Sequence, residues 1–268
     1  MSLLKSWLSA RDTRLRWIDF EAYARRVFAN DPADWYGDAT RYAATLMQAQ
    51  GVIASDALIL DLSAPFVAGL GARDAAQVLA RLGEASPQDF FADALAALAH
   101  RFEGRLDLVL KLQAPWDLVG GGQPDFDALD DVGTALATCM RRFADRPVAA
   151  LLLETARVTP LSADEVDAYE PLLGAARHYG WSTALALPAD AAGMVEGEGL
   201  DLDLVLWPAR PAASLPREAR PASGGGLDEV VWRGGALPES DAAVLLYGAV
   251  PADATPEVVA SVARALHA

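Results

Sequence analysis

Histidine and cysteine are nearly missing from this chain: three and one among 268 residues. The lone Cys139 cannot form an internal disulfide, which points to a reducing compartment. Zinc hydrolases and zinc-dependent methyltransferases need His, Cys or carboxylate ligands that converge on one site. His100 and His178 fall late in predicted helices, His267 is next to the last residue and Cys139 is mid-helix. No metal site and no cofactor is therefore expected. A Ser-His-Asp hydrolase fails on the same ground, because no histidine follows a strand end. Positive charge is short as well: 22 Lys and Arg against 37 Asp and Glu leave a net charge of −15. That sign argues against nucleic-acid or anionic-membrane partners. A small anionic ligand stays open, since a local arginine cluster can sit in an acidic protein. No apolar run reaches the roughly 18 residues of a bilayer span. Met1–Ala10 has one lysine and no apolar core or cleavage site, so no signal peptide is expected and the cytoplasm is the default.

What the chain does have is eight short apolar runs: Leu15–Phe20, Ala57–Leu62, Leu106–Gln113, Val148–Thr155, Trp181–Leu187, Leu202–Trp207, Glu229–Arg233 and Ala242–Gly248. Stretches of helical periodicity separate most of them. Eightfold strand–helix alternation predicts an α/β fold, a (β/α)8 barrel, as a single domain over residues 1–268. The punctuation agrees. Pro32–Gln50 has apolar residues at helical spacing and stops at Gly51. Ser86, Pro87 and Asp89 form a helix start, and Ser162 with Glu165 a capping box. Gly120–Gly122 reads as a flexible loop, and Met1–Ala10 as a short helix capping the barrel bottom. The weak stretch is Pro208–Gly226, whose four prolines and closing glycine run suggest a long loop after the sixth strand.

Barrel active sites gather at the C-terminal strand ends. Lys111 lies inside an apolar strand and needs a carboxylate partner or a ligand, and Glu154 on the next strand is the natural candidate. The pair is either structural or part of a site. Asp61 ends the second strand as a general acid or base, or as the cap of the turn before Pro65. Arg157, Arg210 and Arg233 lie near strand ends and suit carboxylate or phosphate recognition, or pair with the abundant acids. Trp116, Trp207, Trp232 and Tyr247 are aromatic walls or core. Lys111, Asp61 and Glu154 are thus the catalytic candidates.

The segment Gln113–Gly122 (QAPWDLVGGG) resembles the turn after the third strand in uroporphyrinogen decarboxylases. Thr45–Gly71, Leu153–Pro160 and Gly248–Leu266 resemble that family's second strand, fourth strand and closing helix in the same order. The chain is identified as a divergent, loop-trimmed relative of the uroporphyrinogen decarboxylase-like superfamily, which includes corrinoid-linked methyltransferases and cobalamin-independent methionine synthases. The resemblance implies decarboxylation or methyl transfer and a homodimer; from the strand ends, a small anionic or aromatic ligand is expected to be bound by Trp116, Asp117, Arg157, Trp207, Arg210, Arg233 and Tyr247. The family's arginine pair has no clean counterpart; Arg25 and Arg26 are adjacent. Either Asp61 or Ser63 stands at its catalytic aspartate, and its loop tyrosine and late histidine are missing. A catalytically silent relative that binds a ligand or partner protein is the alternative.

Overall fold

The computed structural model describes residues 2–68, 70, 74–120, 125–188, 190–191, 199–215, 221–238 and 243–267, and the backbone but not the side chain of Asp164. The elements run α1 (Leu3–Ala10), β1 (Leu15–Asp19), α2 (Glu21–Val27), α3 (Ala39–Ile53), β2 (Ala57–Asp61), α4 (Ser63–Val67), α5 (Ala75–Leu82) and α6 (Ala85–Phe102). They continue with β3 (Asp107–Gln113), α7 (Pro115–Leu118), α8 (Phe126–Met140), β4 (Val148–Glu154), α9 (Ala163–His178), β5 (Ser182–Ala186) and β6 (Leu204–Trp207). The last are β7 (Ala222–Gly226), α10 (Glu229–Trp232), β8 (Leu245–Ala249) and α11 (Pro256–His267). All eight strands form one parallel sheet in the order β1-β8-β7-β6-β5-β4-β3-β2, a nearly closed (β/α)8 barrel.

Period-two alternation builds the interior. Leu15 and Trp17, Ala57 and Ile59, Val109, Ala150 and Leu152, Ala184 and Ala186, Leu204 and Leu206, Leu245 and Tyr247 pack into one buried cluster. Their outward neighbours join the larger core under the helices. At the bottom, Leu4 and Trp7 of α1 insert into the same interior cluster. Buried Asp107 holds that plug by accepting from the Leu3 and Leu4 amides at 2.9 and 2.7 Å, where a helix N-terminus favours negative charge.

One seam has no strand ladder. Between β1 and β2, one main-chain bond, from the Asp56 amide to the Arg16 carbonyl at 2.8 Å, is supplemented by side chains. Ser55 Oγ donates to the Arg16 carbonyl at 2.9 Å and accepts from the Ile18 amide at 3.0 Å. At the upper end the Glu21 carboxylate accepts from the Asp61 amide at 2.8 Å. Arg16 and Asp56 also bridge the two strands.

The seventh strand corrects the sequence reading. It is Ala222–Gly226, inside the stretch taken as loop, while Glu229–Arg233 forms α10 and its cap. Strand propensity rests on side chains that pack, and a run of glycines carries no such signal. Here the glycines serve close approach: a Cβ on Gly225 would collide with the Trp207 carbonyl of β6. Gly225→Ala is therefore expected to cost about 1–3 kcal/mol through overpacking. Thermal denaturation checks this. Other boundaries move too. α3 starts after an Asp38 cap rather than at Pro32 and passes through Gly51 to Ile53. α6 starts at Ala85, which puts Ser86 inside the first turn instead of at the cap. The capping box of Ser162 and Glu165 forms as read. Gly121, Gly122 and Pro216 lie outside the described residues.

Candidate active site at the barrel mouth

Four strands end their inward rows in a charge. Asp19 follows Leu15 and Trp17 on β1, Asp61 follows Ala57 and Ile59 on β2, Lys111 follows Val109 on β3, and Glu154 follows Leu152 on β4. They meet. Lys111 Nζ lies 2.7 Å from Asp19, 3.4 Å from Asp61 and 3.5 Å from Glu154. The nearest partner is thus Asp19 rather than the expected Glu154, because alternate strands of such a barrel project into a common layer. Side-chain exposures of 11% for Lys111, 8% for Asp19, 19% for Asp61 and 43% for Glu154 order the cluster from floor to opening.

Two of the three carboxylates have a second task. Asp19 Oδ1 accepts from the Glu21 amide that starts α2. Asp61 Oδ1 accepts from the Ser63 and Ala64 amides, capping α4, while its Oδ2 faces Lys111. The capping reading of Asp61 holds for one oxygen, and the other is free to face the cleft. Ser63 instead turns its hydroxyl to the Gln113 amide at 2.7 Å and lies outside the cleft lining. Burial pushes the Lys111 ammonium toward the neutral form, and the opposing pull of Asp19, Asp61 and Glu154 wins, so its pKa stands well above the ordinary value. Burial raises Glu154, against the pull of Lys111. Tyr247, under the cluster in the barrel interior, is raised well above its ordinary value, mainly by burial.

Glu21 escaped the sequence reading, as did Asp19. The signal was available: Asp19 continues the inward row of β1, and Glu21 follows two residues later. Glu21 is buried, and its Oε1 accepts from Trp35 Nε1 at 3.2 Å and the Tyr36 hydroxyl at 3.3 Å. Burial, with Asp61 and Asp19 adding repulsion, raises its pKa from 4.5 to about 7. Between those values the folded protein keeps a proton that the unfolded chain releases, so this residue's contribution to stability falls as pH rises, by about 3 kcal/mol in all. Glu21→Gln removes that slope. Denaturant titrations from pH 4.5 to 7 should show the variant gaining on the native chain by up to that amount as pH rises.

Above the cluster opens a cleft of about 930 Å³ whose lining includes Asp19, Glu21, Asp61, Lys111, Glu154, Trp35 and Tyr36. Arg25 and Arg26 of α2 stand at its rim, and neither is ion-paired among the described residues. A second cleft of about 400 Å³ lies over β3 to β6 and shares Glu154, with Gln113, Asp117 and Thr155.

At least one of Arg157, Arg210 and Arg233 is expected to face the central cavity, and none of them lines the larger cleft. Arg157 stacks on Trp116, 4.2 Å from the ring centre, and pairs with Glu165. Arg210 lies 3.5 Å over the Trp207 ring. Arg233 caps α10 and pairs with Glu229 and Asp253. Local acids claim Arg157 and Arg233, and an aromatic ring takes Arg210. Trp207, Trp232 and Tyr247 are buried in the core, and Asp117 accepts from the Ala156 amide beside the smaller cleft. Among the described residues no set of His, Cys, Asp and Glu is grouped to hold a metal ion, and no helix is long and apolar enough to cross a membrane.

Fold and site together define a (β/α)8 barrel with a lysine held by three carboxylates at its mouth. The sequence matches no protein-family model and no curated protein. Among solved structures it is similar to the apo form of the homocysteine methyltransferase MmuM from Escherichia coli, at 13% identity over 98% of each chain with a TM-score of 0.45. The barrel described here rests on its own strand pairings.

Proposed function

We propose that the whole chain acts as one barrel enzyme that moves protons on a small molecule at the cleft, with decarboxylation as its reaction. The observation that carries this reading is the Lys111 ammonium fixed among Asp19, Asp61 and Glu154 at the floor of a cleft large enough for a metabolite. Of the two reaction types the family resemblance implies, decarboxylation uses this donor set most directly. A substrate carboxylate placed over Asp61 and Glu154 is repelled, and its departure as neutral CO2 removes the repulsion. The carbon–carbon bond breaks and its electron pair stays on carbon. Lys111 then transfers a proton to that carbon, and a carbanion is basic enough to take one even from a lysine with a raised pKa. Arg25 and Arg26 at the rim hold a second acidic group of the substrate.

A second reading has its own support. Carboxylates outnumber the lysine at the floor, which favours an amine held without turnover by a silent binding module. Thermal-shift titration with a panel of small dicarboxylates, aromatic carboxylates and amines separates the two. The enzyme reading expects carboxylates to raise the melting temperature and Arg25→Ala with Arg26→Ala to abolish the effect. Stabilisation by amines alone contradicts it. The reading includes a cytoplasmic homodimer, as the resemblance and the lone cysteine suggest. Light scattering at micromolar concentration should give twice the chain mass.

A further inference from the structure

Glu21 touches three parts of the cleft at once. It follows the end of β1, takes the Asp61 amide of β2 on one oxygen, and takes Trp35 Nε1 and the Tyr36 hydroxyl on the other. The first contact adds to the bonds that hold the seam between β1 and β2, which lacks a strand ladder. The other two hold the cleft wall, whose rings pack onward against Tyr42 of α3 and Phe90 of α6.

We propose that Glu21 is a proton-operated latch: ionised, it ties the Trp35–Tyr36 wall and the main chain of Asp61 to β1 through charge-assisted bonds, and protonated, it holds the wall by weaker ones. The three donors differ in what they tolerate. An indole N–H and an amide N–H only donate, whereas a tyrosine hydroxyl can turn round and accept. When Glu21 gains its proton on Oε1, Tyr36 can take that proton's hydrogen bond. Trp35 is left competing for an oxygen that has lost its charge, and charge-assisted bonds are roughly twice as strong as neutral ones. Oε2 keeps the Asp61 amide, so the seam stays shut while the wall loosens.

The surroundings place this change in the neutral range. Burial disfavours the ionised form first, Asp61 from β2 and Asp19 from β1 repel it, and the hydrogen bonds from the Asp61 amide and Trp35 oppose them. Tyr36 from the wall and Tyr42 from α3 are held as phenols by burial first and by the charge of Glu21 next. Arg25 and Arg26 of α2 and Lys111 of β3 are the cations on the same cleft. No histidine lines it. Glu21 acts on Asp61 and on the wall rather than on the reacting atoms, so it is a positioning residue, whichever reaction the cleft serves.

Indole N–H spectra of the 15N-labelled full chain, recorded from pH 5.5 to 8.5, test the latch without any ligand. Trp35→Phe assigns the signal among the seven tryptophans. The Trp35 signal is expected to titrate with a midpoint near 7, moving at low pH to the position of a weaker hydrogen bond. In Glu21→Gln it should stay at that low-pH position throughout. A flat signal across the range, or the same titration in Glu21→Gln, overturns the proposal. Should that variant fold poorly, the native chain decides alone: a Trp35 signal that titrates with a midpoint near 7 supports the latch, and one that does not move across the range overturns it.

Discussion

Lys111→Met is expected to destabilise the protein by about 3–5 kcal/mol at pH 7, the range typical for removing one partner of a buried ion pair. The loss comes less from the attraction removed than from what is left. Asp19 stays buried, with Asp61 and Glu154 nearby and no cation between them. Each kcal/mol corresponds to roughly 2–4 °C in a chain of this size class, so a melting temperature lower by about 10 °C is a fair reading. The pH dependence identifies the cause. Protonating the crowded carboxylates relieves their repulsion, so the gap between the native chain and the variant should be widest near pH 7 and narrow toward pH 4. A gap of constant size would point to lost methylene packing instead. Methionine is chosen to keep most of that packing.

Asp61→Asn is expected to do the reverse: little change in stability and a large loss of turnover. The asparagine carbonyl can keep the hydrogen bonds that Asp61 Oδ1 accepts from Ser63 and Ala64, so α4 remains capped. What disappears is the charge facing Lys111 and the cleft. Under the decarboxylation reading that charge both repels the departing carboxylate and fixes the proton donor. Its loss should lower the rate by roughly 10²–10⁴-fold, the span of a general acid–base contribution. A variant that loses stability in step with activity would make Asp61 a structural cap and nothing more.

How much of this was legible depended on which side chains carry the signal. Alternation on β3 put Lys111 at the mouth before any coordinates, because a lysine in an apolar strand is conspicuous. The same alternation on β1 points to Asp19, yet an acid at a strand end looks like an ordinary turn residue. β7 could not be seen, since its glycines are there for the close approach of β6 and glycine weakens every strand signal. The arginines misled for a different reason. Nearness to a strand end says nothing about which local acid or ring a long side chain reaches first, and Arg157, Arg210 and Arg233 each found one. Glu21 matters through Trp35 and Tyr36, fourteen and fifteen residues later. No spacing rule links those positions; the fold does.

The central claim is that the caged lysine works on a substrate rather than merely plugging the barrel. Labelled CO2 tests it most directly. A carboxylate that stabilises the protein, synthesised with 13C in its carboxyl groups, is incubated with the native chain and with Asp61→Asn, and release is followed by NMR. The account predicts labelled CO2 and a product protonated at the vacated carbon from the native chain, with release from the variant slower by at least about 10²-fold. Intact substrate after many hours with a folded native protein would contradict it, and would leave the mouth of the barrel as a binding site.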